Sequence, residues 1–266
     1  MSSGNATKDL DDALVGYTGY VGSTLLRQRP FEARYRSTDI GDIRGRRFDT
    51  LVCAGAPAQK WIANREPEED HRRLQTLTSA LAEARCRRFV LISTVDVFAD
   101  PVGVDEDSPV PTQGLHAYGL HRRELELFVE KRFGDAALIV RLPGLVGPGL
   151  RKNLIYDLKH DNDVGKFDAR AVFQFYPMVN LWWDICTALD AGLRLVHLTA
   201  APLSVAEVAR EGFGRMLDAE HGAPPARYDM SSRHAALWQG GGGYQYDRRA
   251  SLLAIRAYAQ SESGVG

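Results

Sequence analysis

Tyr118 and Arg122 stand four residues apart in "LHAYGLHRRELELF", residues 115–128, inside a stretch whose pattern predicts a helix over 117–133. That spacing puts the phenol and the guanidinium on one helical face. A phenol ionises near pH 10, so accepting a proton near neutrality requires its phenolate to be stabilised by roughly 3 pH units, about 4 kcal/mol. A fixed positive charge nearby does that. Arginine releases no proton at useful pH, so any relay through position 122 is lost while the electrostatic role survives. The competing reading makes Arg122 a solvated residue beside a dead site. His121 lies about 100° further round the helix and is expected to face elsewhere.

A second constellation is "LVGYTGYVGSTLL", which places Gly16, Gly19 and Gly22 directly after a short apolar strand and at the start of a helix. Glycine permits the sharp turn, lets backbone approach a pyrophosphate, and leaves amides at a helix N-terminus aimed at the anion. This context points to dinucleotide binding, with Thr18, Tyr20 and Val21 as the loop's other candidate contacts. At the end of a second strand an acidic residue selects NAD, whereas arginine beside a small hydroxyl residue accommodates the phosphate of NADP. In "EARYRSTDIGDIRGRR", Arg36 and Ser37 fit the second pattern, and Asp39 fits the first if the strand runs two residues longer. The expected cofactor is NAD or NADP, with a slight preference for NADP.

The elements around these residues alternate. "STLLRQ" reads as helix; "EARYRS", "TLVCAG", "RFVLIST" and "AALIVRLPG" read as strands; residues 68–86 read as a helix with Leu74, Leu77 and Leu81 on one face. Such alternation predicts an α/β fold, a Rossmann-type doubly wound parallel sheet with a small C-terminal substrate-binding portion. The expected division is a dinucleotide-binding domain over 10–150 and a smaller portion over 151–260, interleaved with the first. The ends, 1–9 and 261–266, are expected to be loose. The second portion offers one strand, "LRLVHLTA", one helix, "SVAEVAREGFGRML", and "GGGG" at 240–243 as a mobile or tight loop.

Composition excludes several classes. A formal net charge of −1 gives no global reason to expect nucleic acid or a membrane as partner, and no run approaches the roughly 18 apolar residues of a membrane span. Cys53, Cys86 and Cys186 are odd in number and widely spaced, which suits neither a disulfide framework nor a metal site. A reduced, cytoplasmic protein is expected.

The G-x-x-G-x-x-G spacing and three further segments in the same order resemble the extended short-chain dehydrogenase/reductase family, which includes nucleotide-sugar epimerases and dehydratases. "FDTLVCAGAPA" resembles the strand whose following small residues, here Ala54, Gly55 and Ala56, pass beneath adenine and ribose. "FVLISTVDVF" resembles the strand that ends in the catalytic hydroxyl, here Thr94, with Ser93 beside the cofactor. "VRLPGLVGPG", Arg141 to Pro148, resembles the family's Arg-x-x-x-x-x-Gly-Pro stretch beside the nicotinamide, with Pro143 as its contact. The resemblance covers residues 12–150 and fades to an outline beyond.

It implies an NAD(P)-dependent oxidoreductase acting on a hydroxyl or keto carbon of a sugar-like, nucleotide-linked substrate. Tyr118 would be the acid/base, Thr94 would bond the reacting oxygen, and Arg122 would stand in for the family's lysine. The reducing direction is favoured, because there tyrosine acts as the acid. The dehydratase branch follows its threonine with an Asp-Glu pair; Val95 and Asp96 stand here, which argues against a 4,6-dehydratase while keeping Asp96 as a catalytic or loop residue. An epimerase or dehydratase with tightly held NAD, and a non-catalytic dinucleotide-binding protein, stay open. Asn153, Arg227, Arg233 and His234 are the candidates for a substrate pyrophosphate, and Lys60 and Trp61 for the pocket, although core packing is the commoner place for a Trp. The aromatic run "FQFYPMVNLWWDI" is pocket wall or core. A homodimer through helices 68–86 and 117–133 is the family-like arrangement.

Overall fold

A computed structural model describes residues 10–261. Six parallel strands form the central sheet: β1 (Ala13–Val15), β2 (Ala33–Tyr35), β3 (Arg47–Cys53), β4 (Arg85–Thr94), β6 (Ala137–Leu142) and the strand Leu195–His197. Their order across the sheet is Leu195–His197, β6, β4, β3, β1, β2. The chain leaves β1 in one direction to make β2, then returns to the other side of β1 to make β3. The crevice for a ligand in such a sheet opens at that reversal, beyond the carboxyl ends of β1 and β3.

Side-chain alternation explains why the strands lie buried on both faces. Phe89 and Leu91 of β4 face one apolar core with Ala13, Val15, Leu51, Cys53 and Ile139. Val90 and Ile92 face the opposite core with Leu14, Val52, Leu138 and Val140. Against the first face pack α3 (Pro67–Glu83), through Leu74, Leu77, Ala80 and Leu81, and α4 (Ala117–Phe133), through Leu125 and Val129. Against the second pack α1 (Tyr20–Gln28) and α6 (Leu181–Asp190). α3 opens with Pro67 at its first turn and three acids behind it, which suits the positive end of the helix dipole. It ends at Glu83, three residues before the expected bound, because Arg85 and Cys86 already pair as the first residues of β4.

The chain beyond 150 gives one strand and α6 to this sandwich and builds a third core from α5 (Leu154–His160), Val205, Val208, Ala209 and the last helix, Arg248–Ser261. The expected helix over 204–217 is a single α turn, Val205–Glu207, closed by a capping box on Ser204, then a π turn to Gly212. Gly214, at φ +65°, ends it. The tetraglycine is a tight loop, since Gly242 and Gly243 take positive φ and a side chain at Gly240 would strike the Tyr244 carbonyl. Residues 1–9 and 262–266, most of the expected loose ends, lie outside the described residues; Ser261 closes the last helix.

One small pairing bears on the site. Asp229–Met230 lies parallel to β5 (Val102–Val104), which returns Tyr228 to the end of β4. Among the described residues no helix is long and apolar enough to cross a membrane.

Candidate active site

The glycine loop occupies the crevice at the strand reversal. Gly16 has φ +83°, and a Cβ there would sit 2.3 Å from the Ala54 carbonyl oxygen; a Cβ on Gly22 would sit 2.2 Å from that of Gly16. Both glycines are therefore required by the fold of the loop itself. α1 begins at Tyr20 with no side-chain cap and no acid in its first turn, so its positive end is not neutralised by the chain. That is a cradle fitted to a phosphate. Ala54, Gly55 and Ala56 follow β3 across the same crevice, with Ala54 N–H bonded to the Val15 carbonyl at 2.9 Å. Pro143 is buried at the end of β6.

β2 ends at Tyr35, so Arg36 is the first residue past the strand. Asp39 is not on a lengthened strand. It turns back, accepting from the Arg36 backbone N–H at 2.6 Å and facing the Arg36 guanidinium at 3.4 Å. Ser37 lies in the same exposed turn.

The candidate centre forms where α4 starts above the end of β4. Tyr118 is 9% exposed, and burial raises its phenol above the ordinary value against the opposing pull of Arg122 and of a polar contact with Thr94. The close approach depends on Gly119, whose Cβ would lie 2.2 Å from the Asp96 carbonyl oxygen. His116 Nδ1 accepts from the Gly119 N–H at 3.0 Å, and Asn64 Oδ1 accepts from the Tyr118 N–H at 2.9 Å, which fixes the first turn. Gly119→Ala should lift α4 from β4 and separate Tyr118 from Thr94. Its expected result is a folded protein with turnover reduced about 10²-fold, read from kcat beside a circular dichroism spectrum.

Arg122 is 2% exposed and locked. Its guanidinium lies over the Tyr118 ring, 4.0 Å from the centroid, and donates to both Asp70 oxygens and to the Pro57 carbonyl. It is therefore a buried, paired cation, and the solvated reading does not describe it. His121 does not face elsewhere either: its Nδ1 meets the same Asp70 carboxylate at 2.8 Å, because α3 passes between the two directions.

Lys60, expected on the substrate side, reaches the centre. Its Nζ donates to Asp96 Oδ1 at 2.7 Å and to the Tyr228 hydroxyl at 3.3 Å, while that hydroxyl donates to Asp96 Oδ1 at 3.0 Å. Burial works against the Lys60 charge, but Asp96 and Tyr228 outweigh it and its pKa is raised. The Asp96 carboxylate is thus engaged by Lys60 and Tyr228 rather than capping its own loop.

Beside this centre opens a cavity of about 660 Å³, lined among others by Lys60, Trp61, Asn64, Arg151, Lys152 and Lys166. Four cations face it, and its one acid, Asp157, is paired with Lys166 at 3.0 Å. Trp61 is 62% exposed on this wall rather than in the core. Asn153 also lines it, but its side chain is committed to capping α5 and to the Leu145 carbonyl. Arg227 is exposed away from the cavity lining, Arg233 pairs with Asp107, and His234 starts the short turn Ala235–Trp238. Ser93 is turned into the core, its hydroxyl donating to Glu126 at 2.6 Å.

The same architecture recurs in solved structures. dTDP-4-dehydrorhamnose reductase from Bacillus anthracis str. Ames, in complex with NADP, aligns with a TM-score of 0.73 at 16% identity over 96% of this chain and 99% of its own. The Bordetella bronchiseptica enzyme WbmG, in complex with NAD, gives 0.72 at 16% over 97% and 96%. MoeE5 in complex with UDP-glucuronic acid and NAD gives 0.71 at 19% over 94% and 99%. The chain has their fold. No family model and no curated protein matches the sequence. At such identities fold is what is shared, and function has to be argued from the site.

Asp70, His116, Arg151, Lys152 and Tyr228 stand at the candidate site or support it and carried no sequence signal, unlike Gly119. Gly119 had one available, since a glycine immediately after the tyrosine at a helix start marks close packing.

Proposed function

We propose that the protein is an NAD(P)-dependent oxidoreductase of the extended short-chain dehydrogenase/reductase type, reducing a keto carbon of a sugar-like, nucleotide-linked substrate. The observation that carries this is the buried Tyr118 phenol beside Thr94, set at the carboxyl end of β4 next to a glycine crevice that a dinucleotide fits. Gly16, Gly19, Gly22 and the start of α1 would hold the pyrophosphate, Ala54 to Ala56 the adenosine side, and Arg36 the extra phosphate of NADP. When bound, the reduced nicotinamide supplies a hydride.

The chain's own residues supply the proton. Because burial raises Tyr118, the phenol stays protonated near neutrality and is an acid, not a base. Thr94 shares the substrate oxygen and orients it. Arg122 fixes the ring from below and, being unable to give up a proton, does not relay one. Lys60 can: it lines the cavity, is held by Asp96 and Tyr228, and its charge acts on the Tyr118 phenol, so it is the group we assign to returning a proton to Tyr118. Lys60, Arg151 and Lys152 on the cavity wall suit the diphosphate of a sugar nucleotide.

NADPH and NADH titrations followed by nicotinamide fluorescence test the reading. Wild type should bind NADPH more tightly, and Arg36→Ala should weaken NADPH about 10-fold or more while leaving NADH nearly unchanged. Equal losses would remove Arg36 from the cofactor, and no binding of either would overturn the oxidoreductase. NAD released on denaturation and identified by mass spectrometry would move the assignment to an epimerase that recycles it.

A further inference from the structure

His71 on α3 and His121 and Glu124 on α4 form a cluster outside the cavity. His121 and Glu124 are three residues apart on one helix and so share a face, which α3 brings opposite His71. One ligand atom from each side chain lies within 4.8 Å of the other two. We propose that these three residues hold a divalent first-row cation, zinc being the ion that two imidazoles and a carboxylate suit best.

His71 Nδ1 and Glu124 Oε2 are 3.4 Å apart, long for a direct hydrogen bond. Two ligands each about 2.0–2.1 Å from a tetrahedral zinc stand about 3.3 Å apart, so this pair already has the spacing of shared ligation. The wider separations close by rotation of His71 and Glu124, whose side chains are 43% and 45% exposed.

The third ligand is oriented from behind. His121 is buried and its Nδ1 meets Asp70 at 2.8 Å, which assigns the proton to Nδ1 and the lone pair to Nε2. A carboxylate behind a histidine in this way fixes the orientation of the ring for a metal. Gln75 plays the same part for His71, its amide 2.8 Å from Nε2 and able to present oxygen instead of nitrogen to an Nε2–H. Three protein ligands leave a fourth position for water.

The cation would staple α3 to α4 at the residue that also clamps Arg122. Asp70 serves both His121 and Arg122, so fixing the imidazole also fixes the guanidinium beneath Tyr118. The site does not depend on the dinucleotide reading, and its test needs no turnover.

Metal-free protein is titrated with zinc against a chromophoric chelator, and with cobalt while the visible spectrum is recorded. One equivalent should bind, cobalt should give the intense bands of four-coordination, and zinc should raise Tm. His71→Ala and Glu124→Gln, both at exposed positions, should each weaken binding by more than about 10-fold while keeping the wild-type circular dichroism spectrum. Absence of saturable binding, or binding and a zinc-induced Tm rise unchanged in both variants, would overturn the site.

Discussion

Replacing Tyr118 with Phe is expected to lower kcat by about 10²–10⁴-fold, the range a positioned proton donor contributes, while NADPH affinity stays within a small factor of wild type. The substitution is clean because the ring remains. Phe keeps the face that Arg122 covers and the packing against β4, and only the hydroxyl beside Thr94 is lost. Undiminished turnover would remove the tyrosine from the mechanism. The pH profile gives a second readout with a definite sign. Burial is the largest influence on the phenol and raises it; Arg122, Thr94 and Lys60 oppose it without reversing the shift, and Asp96 adds to it. The protonated form therefore persists through neutrality. Reduction rates should be flat from about pH 6 to 9, whereas oxidation rates should climb across that range as the phenolate forms. The opposite pattern would assign the proton to another group.

Glu126→Ala should cost about 3–5 kcal/mol, the loss that follows when one member of a buried ion pair is removed. Glu126 is fully buried and Arg141 is 2% exposed. Arg141 donates to both carboxylate oxygens, at 2.9 and 2.7 Å, while Ser93 and Arg123 add bonds at 2.6 and 2.8 Å. Truncation strands the Arg141 charge between α4, β4 and β6. For a chain of this size the expected fall in Tm is about 6–20 °C by calorimetry. Burial alone would raise the Glu126 carboxyl, but Arg141, Ser93 and Arg123 outweigh it and hold it below the usual value. A depressed carboxyl stabilises the fold above its unfolded pKa, and that contribution disappears as pH falls through the folded value. Wild type should thus lose stability on acidification below about pH 4.5, and the variant should show a shallower loss there.

What the sequence disclosed follows the range of the physics behind each feature. The glycine loop, the helix over 117–133 and the buried strands were legible because turn sterics and side-chain period act between near neighbours. Pairing was hidden. Arg122 could be placed on the face of Tyr118, but its partner Asp70 comes from 52 residues upstream, so nothing local separated a locked cation from a solvated one. His121 was assigned elsewhere by its helical angle, which says where a side chain points and nothing about which element waits there. Asn153 attracted a substrate role by type, whereas its oxygen caps a helix that only the fold reveals. Trp61 was weighed by the habits of tryptophan, and the short helix Lys60–Arg65 instead sets it on an open wall with Arg65 against its ring.

The return of Tyr228 to Asp96 divides the protein's assembly in time. The crevice at β1 and β3 draws on residues within the first sixty of the chain, so it can close early, from contacts near in sequence. The triad of Lys60, Asp96 and Tyr228 spans 168 residues and forms only after Asp229–Met230 has docked beside β5. Closing so large a loop is slow compared with local pairing. A chain emerging from synthesis would close its glycine crevice well before Lys60, Asp96 and Tyr228 meet, and so, on the proposed function, could hold a dinucleotide at a centre still incomplete.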